Sequence, residues 1–155
     1  MRGLIYTLAA ACWLVACLPA DGATGRVLKV LPHFLDQQGR HTVSPSLYDR
    51  DAYQKFLRDN PDKRSGMSFD IQWKTKEAAF SPLVLRVELR GIAEGALPRT
   101  LVLEQPAEGG RRWRGAWTRM TLAETDYQRI GEITAWRVSL WEGERLLAEQ
   151  TSFLW

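Results

Sequence analysis

This chain of 155 residues reads as a mainly β protein, an antiparallel sandwich of six or seven strands with one short helix over about Ser46 to Arg58. Three features carry that reading. From Met67 onward apolar residues recur at every second position, the period of strands with one dry face. Glycine and proline turns interrupt these runs at short spacing, without the repeating strand–helix alternation that a parallel sheet needs. Only one segment, ahead of Met67, has the helical period.

Taken in order, Arg26 to Leu35 brings Val27, Leu28, Val30, Leu31 and Phe34, interrupted by Pro32. Proline cannot donate to a ladder, so this run is expected at a sheet edge, as one strand or two. Asp36 to Arg40 is a turn, and Thr42-Val43-Ser44-Pro45 leads into the helix. Ser44 or Ser46 caps its start, with Asp49 and Asp51 near the positive end of the helix dipole. Tyr48, Ala52 and Phe56, with Tyr53 and Leu57, form a stripe that can lie on a sheet or across the end of a sandwich. Asn60-Pro61 stops the helix, and Asp62 to Gly66 reads as an exposed loop.

Met67, Phe69, Ile71 and Trp73 then alternate with Ser68, Asp70, Gln72 and Lys74. Leu83, Leu85, Val87 and Leu89 repeat the pattern, as do Leu101 and Leu103 between Pro98 and Pro106. Arg111 to Leu122 places Trp113, Gly115 and Trp117 on one side and Arg112, Arg114, Ala116 and Thr118 on the other. Ile133 to Trp141 and Leu146 to Trp155 form the strongest hairpin signal, turning at Glu142-Gly143-Glu144. A three-residue turn there sets Leu140 against Leu146, Val138 against Ala148 and Arg137 against Glu149. Trp136, on the Val138–Leu140 face, is expected to be buried.

Leu122, Thr125 and Tyr127, ahead of that hairpin, resemble the approach to the penultimate strand of immunoglobulin-like and fibronectin type III domains. The resemblance implies such a sandwich, with a tyrosine corner that bonds the backbone. Ile130-Gly131 departs from the usual spacing, and the cysteines of antibody domains are absent. Architecture of this kind does not assign function.

The two cysteines, Cys12 and Cys17, both precede the sandwich segment, so its core has no internal disulfide to support it. Met1-Arg2 gives a positive start and Leu4 to Val15 an apolar run too short for a bilayer-spanning helix of about 20 residues. Leu14-Val15-Ala16-Cys17 resembles the lipobox of bacterial lipoproteins. The resemblance implies cleavage before Cys17, thioether lipidation of that thiol and acylation of the new amino group. Several acyl chains together hold durably, where one chain holds only marginally. Ordinary cleavage near Ala20 and an uncleaved anchor are the alternatives; Cys12 comes too early.

On the lipoprotein reading the chain divides into a signal over residues 1–16, a lipidated tether over 17–25 and a β-sandwich over 26–155. The tether from Leu18 to Gly25 reaches about 26 Å at full extension, at about 3.3 Å per residue. The family's sorting habit keeps lipoproteins with Asp after the cysteine at the inner membrane. Leu18 stands there instead, which implies the outer membrane, facing the periplasm.

Little chemistry is visible. His33 and His41 are the only histidines, and neither stands in metal-ligand spacing with acids or thiols, so no metal and no cofactor are expected. Ser139 and Ser152 lack a nucleophile elbow, and no paired acids stand out. Five of the seven tryptophans lie between Trp113 and Trp155, mostly as core filling. Trp113 and Trp117 are the candidates for exposure, because arginines crowd their strand. Arg111, Arg112 and Arg114 follow Gly109-Gly110 and serve either as a solvated edge or as attraction to anionic headgroups or acidic glycans.

The expectation is a lipid-anchored envelope protein that binds a protein partner or assists assembly without catalysis, through Trp113, Arg114 and Trp117. A carbohydrate-binding module with exposed tryptophans is the alternative and an enzyme ranks last. Nucleic acid is not an expected partner, since nothing resembles a reader of it.

Overall fold

The computed structural model describes residues 23–76, 79, 81–93, 97–110 and 114–155. Among these residues seven strands build two antiparallel sheets: β1 (Gly25–Asp36), β2 (Arg64–Thr75), β3 (Leu83–Ile92), β4 (Pro98–Pro106), β5 (Ala116–Leu122), β6 (Glu132–Glu142) and β7 (Arg145–Thr151). Their order is β1-β2-β5 in one sheet and β4-β3-β6-β7 in the other. With β1, β2 and β5 in the places of A, B and E, and β4, β3, β6 and β7 in those of C′, C, F and G, this is an immunoglobulin-like sandwich. The β1 strand lies against β7 at one margin of the sandwich, and β4 and β5 present their free edges at the other.

The alternating residues of the sequence form the core between the sheets. Phe69, Ile71 and Trp73 of β2 face Leu85, Val87 and Leu89 of β3 and Val138 and Leu140 of β6, all without solvent exposure. A fully buried side chain of this kind contributes about 1.5–3 kcal/mol, enough to hold a domain of this size without a disulfide. Trp73 is the largest of them, and its indole nitrogen donates to Thr118 Oγ1 at 2.9 Å.

The sandwich has two unlike ends. At one, the chain enters through Ala23 beside the β6–β7 turn, where Arg145 donates to the Ala23 carbonyl at 2.8 Å. At the other lie both helices, α1 (Leu47–Asp59) and α2 (Glu124–Ile130), with a single 3-10 turn over Pro61–Lys63. Ser46 caps α1, its hydroxyl accepting from the Asp49 amide, and Asn60 closes it. The β1 strand is continuous through Pro32, with a bulge between Val27 and Lys29, and pairs only with β2. An edge strand tolerates the missing donor.

Several expectations fail, each for an identifiable reason. Asp62 to Gly66 is not an exposed loop: β2 begins at Arg64, which is buried. Its guanidinium donates to the carbonyls of Leu57 (2.5 Å) and Arg58, pairs with Glu132 at 3.0 Å and lies over the Phe34 ring. That cation closes the C-terminal end of α1, whose carbonyls have no partner within the helix. Tyr127 forms no tyrosine corner; it sits within α2, where its hydroxyl accepts from Arg64 at 3.4 Å. The strand expected from Arg111 starts only at Ala116, after Gly115 turns the chain at a φ of 75°.

The final hairpin exists in a different register. Glu142 pairs with Arg145 across a two-residue turn with Gly143 at a φ of 56°, and a bulge follows between Leu140 and Trp141. Leu140 therefore faces Ala148, Val138 faces Gln150 and Arg137 faces Thr151. Arg137 instead grips Glu88 of β3 through two hydrogen bonds of 2.6 and 2.8 Å. The chain leaves the sheet after Thr151, and Trp155 returns over the guanidinium groups of Arg90 and Arg137 at 4.0 and 4.8 Å. Trp136 packs on the core but is only partly buried.

Candidate functional site

Alternation in β2 sends Phe69, Ile71 and Trp73 inward and Ser68, Asp70 and Gln72 to the outer face of the β1-β2-β5 sheet. Strand register then fixes their neighbours. His33 lies opposite Ser68, Arg119 opposite Asp70 and Trp117 opposite Gln72. Beyond His33, the Asp36–Arg40 turn carries the chain back so that the His41 ring comes within 5.1 Å of the His33 ring, centroid to centroid. Helix α1 locks this turn in place. Gln54 accepts from the Phe34 amide at 2.8 Å and donates to the Phe34 and His41 carbonyls at 3.0 and 2.7 Å.

At the centre of this face Arg119 donates through Nε and Nη2 to the two oxygens of Asp70, at 2.6 and 2.8 Å. Burial works to raise the Asp70 pKa, but the Arg119 hydrogen bonds and charge outweigh it and hold the carboxyl below its usual range. His33 Nδ1 stands 3.6 Å from Asp70 Oδ2, too far for a hydrogen bond. Burial pushes the His33 pKa down; Asp70 opposes this, while His41, Arg50 and Arg119 reinforce it. His41 is lowered by burial and by Arg119 and Arg50, again against Asp70.

Ser68, His33 and Asp70 share the face without forming a nucleophile relay. Ser68 is fully buried, and among the described residues neither its Oγ nor His33 Nδ1 has a hydrogen-bond partner. A relay needs the hydroxyl bonded to the imidazole and the imidazole bonded to the acid. Both Asp70 oxygens are instead committed to a guanidinium. Among the described residues no three His, Cys, Asp or Glu side chains converge as metal ligands.

Trp117 ends this row at the free edge of β5, with 53 % of its surface exposed. A cleft of about 480 Å³ opens beside it between the β4 and β5 margins, lined by Gln105, Pro106, Glu108, Trp117, Thr118 and Arg119. The exposure of Trp117 agrees with the sequence reading. Arg114 is exposed in the turn before β5, where its carbonyl accepts from the Gln72 side chain at 3.1 Å. Trp113, Arg111 and Arg112 lie outside the described residues, as does Cys17. Trp73 is buried, and Trp136, Trp141 and Trp155 are partly so, which leaves Trp117 the one exposed tryptophan among the described residues.

Sequence reading missed the Asp70–Arg119 fork and the histidine pair. Each of the four residues occupies a polar position that is unremarkable within its own segment. Only the cross-strand register and the α1 turn bring them together.

No protein-family model matches this chain, and no curated protein does. Among solved structures it is similar to an immunoglobulin-like protein from Pseudomonas aeruginosa, at 13 % identity over 84 % of this chain and 96 % of that one. The TM-score of 0.37 carries no argument, so the immunoglobulin-like assignment rests on strand order.

Proposed function

We propose that this protein is a lipid-anchored component of the bacterial cell envelope, held through Cys17 at the outer membrane and facing the periplasm, that binds a protein partner without catalysis. The observation that carries the binding role is the exposed Trp117 ring on an unpaired strand edge, next to a cleft and a rigid Arg119–Asp70 fork. Exposed Trp and Arg at the centre of a rigid surface are the side chains that dominate protein interfaces. The free backbone edge of β5 offers, in addition, a ladder that an extended partner segment can join. The lipobox-like Leu14-Val15-Ala16-Cys17 supports the anchor. Among the described residues no helix is long and apolar enough to cross a membrane.

One exposed tryptophan among the described residues gives less support to a carbohydrate-binding module, which stacks sugars on a row of coplanar aromatics. The test has two parts. Mass spectrometry of the N-terminal peptide from envelope-purified protein should find a lipidated Cys17, absent from a Cys17→Ala control. Cross-linking in intact envelopes should then trap a partner that is lost when Trp113, Arg114 and Trp117 are replaced with alanine. An unmodified N-terminus starting beyond Cys17 refutes the anchor, and undiminished cross-linking by the alanine variant refutes the binding face.

A further inference from the structure

The outer face of the β1-β2-β5 sheet changes character toward the end where the chain enters. Lys29 lies opposite Gln72, and Arg26 lies directly opposite Lys74. Like charges across a ladder destabilise it, so this pairing runs against the strand contact. Thr24, Gly25, Arg26, Lys74 and Lys76 line a cavity of about 360 Å³ at this end. Arg114 is exposed in the neighbouring turn, and Trp117 borders the same area opposite Gln72.

Elsewhere on the surface most cations are matched by an acid, the exceptions among the described residues being Arg58, Arg99, which donates to the Arg129 carbonyl, and Arg90, which lies over the Trp155 ring. Arg119 holds Asp70, Arg137 holds Glu88, Arg86 holds Glu104 and Lys55 holds Asp59. Arg26, Lys29, Lys74 and Lys76 form no ion pair among the described residues. Three of the chain's five lysines stand here, and the other two, Lys55 and Lys63, lie at the opposite end with α1.

We propose that the chain-entry end of this face seats on an anionic bilayer, with phosphoryl headgroups against Arg26, Lys29, Lys74 and Lys76 and the Trp117 ring at the interface. It rests on the lipid-anchored reading above, which keeps the sandwich within a tether's length of a leaflet. Clustered lysines and arginines add to a lipid anchor by attraction to anionic headgroups, and tryptophan favours the boundary between headgroup and hydrocarbon. Together they turn a flexible mooring into a fixed orientation, with α1 and the histidine pair directed away from the leaflet.

Lysine footprinting of the full chain tests this. The envelope-purified protein is reconstituted into vesicles of phosphatidylcholine alone or enriched in phosphatidylglycerol, and amine acetylation is followed residue by residue. Phosphatidylglycerol should slow Lys29, Lys74 and Lys76 by about threefold or more and leave Lys55 and Lys63 unchanged, and high salt should abolish the difference. Lys74→Glu should restore the reactivity of Lys29 and Lys76. Equal rates on both vesicles, or slowing of all five lysines alike, overturns the proposal. Equal slowing by inorganic phosphate without vesicles also overturns it, in favour of a small-anion site. The N-terminal peptide in the same digest separates the two readings. Protection with an unlipidated Cys17 removes the anchor alone; a lipidated Cys17 without protection removes the seat alone.

Discussion

Asp36 gives the most direct check on how the helical end is built. The residue is 4 % exposed, and its carboxylate closes the turn between β1 and α1. It accepts from the amides of Gln38 (2.9 Å) and Arg40 (2.8 Å), from Arg40 Nε (2.9 Å) and from the Tyr53 hydroxyl (2.7 Å). Burial works to raise its pKa, but the Tyr53 hydrogen bond and those from Arg40 and Gln38 prevail and lower it from 3.8 to about 2. The unfolded chain therefore binds this proton more readily than the folded one. The stabilisation is complete above the unfolded value and is lost as pH falls toward 2. A depression of that size corresponds to about 2 kcal/mol. Urea titrations of the wild type and Asp36→Asn at pH 7 and pH 2 should show the wild-type advantage shrinking by about 2 kcal/mol at the acid end. The difference between the two proteins cancels the other carboxylates, so an advantage of equal size at both pH values refutes the assignment.

Three further outcomes follow from the packing. Arg64→Met removes the donors that satisfy the Leu57 and Arg58 carbonyls and should cost about 3 kcal/mol or more in chemical denaturation; a loss within about 0.5 kcal/mol contradicts the capping role. Trp73→Ala should cost about 3–5 kcal/mol, whereas Trp117→Ala should stay within about 0.5 kcal/mol; equal losses would place the Trp117 ring in the core rather than at the surface. His33 and His41 should both titrate below 6.5 by NMR, because both pKa values are lowered in the folded state. Their neutral forms then contribute stability that is present above the ordinary value and declines as pH falls through it, and a midpoint at or above 6.5 for either ring contradicts the burial argument.

How much of this was legible in the sequence depends on the range over which each feature is decided. The Ser46 cap, the Asn60 stop and the period-two faces of β2 and β3 are local, and they stand as read. Pro32 marked β1 as an edge because a missing donor matters wherever a second partner strand would need it. Helix α2 left no comparable mark. It has seven residues, Ala123 at its cap provides no side-chain acceptor, and it is held by the burial of Ile130. A segment that short is not helical by propensity alone, so tertiary packing decides it. The hairpin register was lost in two steps, a two-residue turn where three were expected and then a bulge, since a single extra residue on one strand shifts every pair beyond it. The candidate site is the least local of all. Asp70 and Arg119 become partners only because β5 crosses to pair with β2, a choice made by the whole sandwich.

That same crossing gives the outer face its functional division. Toward the helices, each charge at its centre meets an opposite one, and two histidines are held against a committed carboxylate, which makes the surface rigid and close to neutral. Toward the entry of the chain, Arg26 faces Lys74 and neither has an acidic partner among the described residues, at the cost of strand stability. Trp117 stands at the boundary, beside both the Arg119 fork and the basic ladder, so its ring belongs equally to a protein interface and to a lipid interface. Replacing that ring weakens either mode and discriminates neither. The charges discriminate: Lys74→Glu reverses a side chain that only a bilayer seat uses, whereas Arg119→Lys loosens a two-pronged grip on Asp70 that only a rigid protein-binding edge requires. A partner lost with Arg119 and retained with Lys74, alongside lipid protection lost with Lys74 and retained with Arg119, assigns the two halves of one sheet to two different neighbours.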